Sequence, residues 1–231
     1  MISNYLIERQ DITEEVLNKV YSNVFRKNHK QPGFSVLTFN KGISSRELRA
    51  IMVSLKESLS ARCRSKFKME LDYFWLTRFD QQQTTKFHRD NAPTDSFLLL
   101  GYEPTTIESK LLIADYHQFI SDYDIPIEKY YELYNPIFKT GEKRLNPYIT
   151  AMNGLDKNAS HIVIINNSDL ESQLSYGVLH KAEILTENQN QSRVVNSMML
   201  YLKSTDESYH LSKKDVSQFL ETDRIEGSLY H

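Results

Sequence analysis

Between residues 69 and 202 the chain breaks into short runs rich in aromatic and β-branched residues, and this rhythm limits the fold more than any other feature. Residues 69–79, 85–90, 97–102, 110–116, 161–166, 178–185 and 193–202 each have strand length and strand composition. Residues 34–39 form one more such run ahead of them. The breaks are polar: Asp80-Gln81-Gln82-Gln83-Thr84, then Glu103-Pro104-Thr105-Thr106, then residues 186–192, which read as a hairpin turn. About eight strands with helices gathered at the N-terminal side match what a jelly roll requires.

The helices announce themselves by their caps. Asp11 or Thr13 can start a helix on which Val16, Val20 and Val24 recur at helical spacing, ending before Pro32-Gly33. Ser44 and Glu47 make a capping box for a second helix, with Leu48, Ile51, Met52, Leu55 and Leu59 along one stripe, expected to pack on the outer face of a sheet. Ser212 and Asp215 are placed to cap a short C-terminal helix through Val216, Phe219 and Leu220. Residues 117–158 interrupt the β rhythm with a short helix over 126–138 and loops holding Pro136, Gly141 and Pro147. A long insertion of this kind is usually functional, and it is expected to roof a site. The expected organisation is one domain, 1–231: helical support over 1–68, a core over 69–202, and a helix and tail over 203–231.

Charge and cysteine content narrow the classes. Net charge is −2, so global charge points to no partner, although residues 19–68 hold twelve Lys and Arg against Glu47 and Glu57. A lone cysteine, Cys63, excludes an intrachain disulfide and a cysteine metal cluster, and fits a reducing compartment. Residues 1–11 lack the basic and apolar regions of a secretory signal, and no apolar run nears the roughly 18 residues that span a bilayer. A cytoplasmic protein with no membrane contact is expected.

Within Lys86-Phe87-His88-Arg89-Asp90-Asn91-Ala92, an extended backbone turns His88 and Asp90 the same way, because strand side chains repeat every two residues. Two donors do not fill a metal's coordination sphere. His180, ending the apolar run Tyr176-Gly177-Val178-Leu179, supplies a third. Two imidazoles and one carboxylate on one face hold non-haem Fe(II) with open positions opposite. Arg193 opens the last strand run, and a forked, always-charged cation near such a metal suits a dicarboxylate co-substrate.

In the order H-x-D, long gap, His, short gap, Arg, the chain resembles the Fe(II)/2-oxoglutarate-dependent dioxygenase superfamily, on His88, Asp90, His180 and Arg193 and across residues 70 to 202. The resemblance implies a mainly β fold with flanking helices, built on a double-stranded β-helix (jelly roll). It implies iron on His88, Asp90 and His180, with 2-oxoglutarate on the iron and its distal carboxylate on Arg193. It further implies O2 as oxidant, and hydroxylation of a small polar molecule with release of succinate and CO2. Halogenating relatives lack a carboxylate at the position of Asp90, so hydroxylation is favoured here. Several branches place Ser or Thr two residues after the arginine, where this chain has Val195. A hydroxyl for the co-substrate would then come from Ser197, Tyr73 or another strand.

Plainer readings stand beside these. Alone, H-x-D is more often a surface turn, and it is the ordered addition of His180 and Arg193 that favours a metal. His-Arg-Asp also spells a kinase catalytic loop, but no Gly-rich loop or Asp-Phe-Gly accompanies it. His161 is the rival third ligand, and Arg193 can instead pair Glu183 across the hairpin. His29, His117, His210 and His231 are expected to be solvated. Tyr73, Trp75 and Tyr102 can line the pocket or simply pack the core, with Lys110 and Asn167 as further pocket candidates. The tyrosines and acids of 117–158 favour a small polar or amine-bearing substrate, whereas the basic stretch 62–68 would suit nucleic acid. A cupin-like protein, acting as a 2-oxoglutarate-independent oxygenase or isomerase or only binding a ligand, is the remaining alternative, as is an oxygenase acting on nucleic acid or protein.

Overall fold

The computed structural model describes residues 4–7, 12–39, 42–134, 139–153, 155–204 and 213–227. Asp11, Ser212, His210, His231 and the 135–138 end of the expected insertion helix lie outside them.

Two sheets make up the β structure. The larger runs β1 (Asn4–Ile7), β2 (Phe34–Phe39), β7 (Ser160–Asn166), β4 (Ser96–Tyr102), β9 (Val194–Ser204), β3 (Met69–Asp80), and the smaller runs β6 (Ile149–Asn153), β5 (Ser109–Ala114), β8 (Leu179–Ile184). Neighbours are antiparallel except the edge pair β1 and β2. His88 bridges His180 and adds its segment to the β8 edge of the smaller sheet. From β3 onward the chain therefore crosses back and forth between the two sheets, returning to the larger one at β4, β7 and β9.

The strand rhythm works because both faces of the larger sheet are covered. On β9, Met198, Leu200 and Leu202 face one cluster while Val195 and Met199 face another, and β4 divides likewise into Phe97 and Leu99 against Leu98, Leu100 and Tyr102. The first cluster lies under α1 (Glu14–Val24) and α2 (Ser45–Phe67), as the stripe through Leu48, Met52, Leu55 and Leu59 requires. Thr13 caps α1, the Ser44–Glu47 box caps α2, and Lys68 ends α2 in the left-handed region at φ 58°. The second cluster fills the space between the sheets, where Leu111, Ile113 and Met152 meet Val163, Ile165 and Val195.

A β-bulge in β3 shifts the register between Tyr73 and Trp75. Without it these two residues, two apart, would share a face. Instead Tyr73 turns to the helix-side cluster and Trp75 to the space between the sheets.

The helical part of the 117–158 segment packs on the outward face of the smaller sheet. Helix α3 (Tyr116–Asp122), the short α4 (Ile127–Lys129) with the π turn Tyr130–Tyr134, and α5 (Lys139–Leu145) carry Tyr116, Phe119, Tyr130 and Leu145 onto Ala114 and Leu179, on the outward face of the smaller sheet. Gly141 lies in α5 rather than in a loop, and Pro147 in a 3-10 turn (Asn146–Tyr148) leading to β6. Helix α6 (Lys213–Glu221) seats Phe219 in the helix-side cluster. Among the described residues no helix is long and apolar enough to cross a membrane.

Candidate metal centre

His88, Asp90 and His180 each offer one ligand atom, and these atoms all lie within 4.8 Å of one another. The local backbone explains how. His88 and His180 exchange both amide bonds, His88 N–H to the His180 carbonyl at 3.0 Å and the reverse at 2.9 Å, which seats the two rings 4.3 Å apart. Upstream, the Thr85 hydroxyl accepts the Ala182 N–H at 3.0 Å and the Thr84 hydroxyl accepts that of Ile184 at 3.0 Å. Asp90 Oδ1 stands 3.4 Å from His88 Nε2 and Asp90 Oδ2 stands 4.0 Å from His180 Nε2, so one carboxylate faces both imidazoles.

Asn167 clamps Asp90 from behind. Its Oδ1 accepts the Asp90 N–H at 2.8 Å, and its Nδ2 donates to the Asp90 carbonyl at 3.1 Å and to Ser96 Oγ at 2.9 Å. Arg89 points away from the centre, pairing Asp169 at 3.0 Å and donating from Nε to the Asn167 carbonyl at 3.1 Å. Tyr131 from the insertion donates to the same Asp169 at 2.8 Å. Asn167, read from the sequence as a pocket residue, is instead a buried brace. Only its position after the apolar run of β7 hinted at it.

The donor set fits a divalent metal. His88 Nδ1 lies 2.7 Å from the Lys86 carbonyl, an acceptor, so Nδ1 carries a proton and Nε2 is the nitrogen left to face the cluster. Burial, reinforced by the neighbouring His88, lowers the His180 pKa to about 3, which keeps that ring neutral as a ligand must be. Burial alone would raise the Asp90 carboxyl, but the His88 hydrogen bond and both nearby imidazoles hold it below the usual carboxylate range. For His88, burial works against the charged form and is outweighed by Asp90 and the Lys86 carbonyl, so its pKa is raised. His180 Nδ1 is buried without a partner among the described residues.

Around the three ligands a cavity of about 50 Å³ is lined by Trp75, Phe79, Leu98, Leu100, Leu111 and Tyr102. Gln81, Ala182 and Ser197 complete its wall, so Ser197 faces the centre as its place on β9 predicts. A second cavity, of about 240 Å³, is also lined by Tyr102, together with Ser109, Lys110, His161 and Arg193 among others. Arg193 is buried, its guanidinium 4.8 Å from the centre of the Tyr102 ring. Nε donates to Ser109 Oγ at 2.9 Å and Nη1 to Gln81 Oε1 at 2.7 Å. Among the described residues neither Nη2 donor has a hydrogen-bond acceptor, and no carboxylate pairs the guanidinium: Glu183 is 3.9 Å from Lys110 instead. The Tyr102 hydroxyl, buried beside Arg193, also lacks a partner of good geometry. Leaving such a group unmet costs about 1–3 kcal/mol.

Three of the sequence readings are corrected. Tyr73 is no co-substrate residue here: the bulge aims it at the helix-side core, where Lys56 Nζ lies 4.5 Å over its ring. His161 is not a third ligand, since Nδ1 is 3.0 Å from Thr38 Oγ1 and Nε2 is 3.0 Å from the Asp156 carbonyl. His117 is not solvated either, for its ring stacks on Tyr176 and burial lowers its pKa to about 4. In the basic stretch 62–68, Arg62 reaches Glu14 at 2.5 Å, Arg64 reaches Glu70 at 3.3 Å and Lys66 lies over Tyr21, while Arg64, Lys66 and Lys68 stay exposed.

No family model matches the chain, and neither does any curated protein. Among solved structures it is similar to the non-heme iron oxygenase OrfP in complex with Fe, succinate and (3R,4R)-dihydroxy-L-Arg, at 10% identity over 83% of this chain and 80% of that one, with a TM-score of 0.41. A likeness of that degree assigns neither family nor activity.

Proposed function

We propose that the protein is an Fe(II)- and 2-oxoglutarate-dependent oxygenase that hydroxylates a small polar molecule, with residues 69–202 as a jelly-roll catalytic core braced by the N-terminal helices. The observation that carries this reading is the convergence of two imidazoles and one carboxylate within 4.8 Å on the wall of a cavity between two sheets. The alternation of strands between the sheets supports the jelly roll. The pairing of Arg62 with Glu14 and of Arg64 with Glu70 favours a small molecule over nucleic acid.

His88, Asp90 and His180 would hold the metal. Bound there with 2-oxoglutarate and O2, iron supplies an oxidation able to attack a C–H bond, with 2-oxoglutarate leaving as succinate and CO2. The protein's own part is preparation. The Lys86 carbonyl fixes the His88 tautomer, and burial keeps His180 unprotonated. Asn167 holds the Asp90 backbone, and Phe79, Leu98, Leu100 and Leu111 keep bulk water from the ligands. Arg193 offers its unpaired guanidinium edge to the distal carboxylate of 2-oxoglutarate.

The test is an anaerobic titration of apo-protein with Fe(II) and then 2-oxoglutarate, followed by visible absorption. A charge-transfer band in the wild type that is lost in His180→Ala is the expected result. Iron binding without a band would move the assignment to a 2-oxoglutarate-independent, cupin-like enzyme, and no iron binding would end the metal reading.

A further inference from the structure

Residues 167–169, directly after β7, tie three parts of the molecule together. Asn167 clamps the Asp90 backbone, as described above. The Ser168 carbonyl accepts the buried Tyr116 hydroxyl at 2.8 Å, and a Cβ on Gly177, three residues before His180, would stand 2.0 Å from its oxygen. Asp169 divides its carboxylate. Oδ1 accepts the Tyr131 hydroxyl at 2.8 Å and the Glu171 N–H at 3.2 Å, while Oδ2 faces Arg89 Nη1 at 3.0 Å.

Arg89 is the residue between the ligands His88 and Asp90, and on an extended backbone its side chain turns opposite to theirs. It grips the segment and its own loop at once. Nε donates to the Asn167 carbonyl at 3.1 Å, and Nη2 donates to the Ala92 and Pro93 carbonyls at 2.8 and 3.2 Å. The carboxylate that meets the charge of this fork is Asp169. Tyr131 is 40% exposed, so water could satisfy its hydroxyl, yet the hydroxyl is directed at Asp169.

We infer that Tyr131 is a positioning residue for the metal ligand Asp90, acting through Asp169 and Arg89. The hydroxyl holds Oδ1 so that Oδ2 faces the guanidinium. The guanidinium ties residues 89–93 to the Asn167 carbonyl, and Asn167 sets the place of the Asp90 backbone. The insertion thereby acts on the ligand loop from the side opposite the metal. This rests on the metal reading above and extends it to a residue that touches neither metal nor substrate.

Calorimetric titration of the apo-protein with Co(II), read together with the visible Co(II) absorption bands, tests it. The bands report ligand geometry, which a change in overall stability alone does not move. Asp169→Asn removes the charge facing Arg89 and is expected to weaken Co(II) binding about tenfold, with shifted bands. Tyr131→Phe removes only an exposed hydroxyl, and about a threefold loss with a shift in the same direction is expected. Because both changes act on one relay, the double variant should lose little more than Asp169→Asn alone. Tyr148→Phe is the control: its hydroxyl bonds Asp122 at 2.9 Å, within the insertion, and its Co(II) affinity and bands should match the wild type. Wild-type affinity and bands in Tyr131→Phe would overturn the inference, whatever Asp169→Asn does. Fully additive losses would overturn it too, and so would an equal loss in Tyr148→Phe, which would mark a general loosening of the insertion. If the wild type binds no Co(II), the metal reading itself fails and the role of Tyr131 falls with it.

Discussion

Arg26 and Arg193 are both buried, and they differ in how fully the protein meets their donors. All five Arg26 donors are engaged: Nη1 and Nη2 grip the Asp115 carboxylate at 2.5 and 2.7 Å, and the Gln31, Tyr176 and Gly177 carbonyls take the others. It ties the end of α1 to the start of α3 and to the loop entering β8, three residues before His180. Gly177 is required there, because a Cβ at that position would stand 2.0 Å from the Ser168 carbonyl oxygen. Arg193 has the same burial but three protein hydrogen bonds, no acid, and a free edge against a cavity. Burial alone does not mark a functional cation. What sets Arg193 apart is a pair of donors that no described residue meets.

The largest effect that comparison predicts is on folding. Arg26→Ala removes the fork and leaves the partly buried Asp115 with only the Gln118 N–H and His29 beside it, which should destabilise the protein by about 3–5 kcal/mol. Denaturant unfolding of the purified variant measures it. Arg26→Lys should recover only part of the loss, since a single ammonium cannot reproduce the bidentate grip and the carbonyl contacts. If Arg26→Ala lost less than about 1 kcal/mol, the account of Arg26 as a strut would be wrong.

Arg193→Leu should behave in the opposite way. Few protein contacts depend on the guanidinium, so folding stability should change by less than about 1.5 kcal/mol. Affinity of the metal-loaded protein for 2-oxoglutarate should fall by about 2–3 kcal/mol, roughly 30- to 150-fold, because a buried charge-assisted contact is removed. A variant as unstable as Arg26→Ala, with unchanged 2-oxoglutarate binding, would reverse the assignments of the two arginines.

Much of this was legible along the chain, for reasons tied to period. Residues two apart on an extended strand share a face, so His88 with Asp90 and Val195 with Ser197 could be placed before any fold was known. The same rule misplaced Tyr73, because a single extra residue in β3 flips the face and no local signal in 71–75 marks the bulge. His161 looked like a ligand on composition alone, and only the tertiary positions of Thr38 and the Asp156 carbonyl show that both its nitrogens are taken. The insertion's tyrosines pointed to a lid, and it is the outward residues of β5 and β8 that seat Tyr130 in a core while Tyr123 and Tyr131 stay exposed. The unmet hydroxyl of Tyr102 was invisible for the same reason: an absence of partners requires all the neighbours to be in place. Strands β1 and β6 escaped notice as short edges with little pattern of their own.

The smallest effect concerns the histidine beside the strut. His117 stacks on Tyr176, its Nε2 is buried without a partner among the described residues, and burial together with the Arg26 charge lowers its pKa from 6.5 to about 4. The folded protein therefore refuses a proton that the unfolded chain accepts. Stability is unaffected above the unfolded value of 6.5 and falls as pH drops from there toward about 4. By pH 5 the contribution of this one group should reach about 1–2 kcal/mol, at 1.36 kcal/mol per unit and with allowance for partial solvent access. His117→Gln cannot take up that proton, so its unfolding midpoint should decline less between pH 6.5 and 5 than the wild type's, with the two proteins closest near neutrality. Identical pH profiles would mean that water reaches the His117 ring, and that the region around Arg26 is less closed than its five engaged donors indicate.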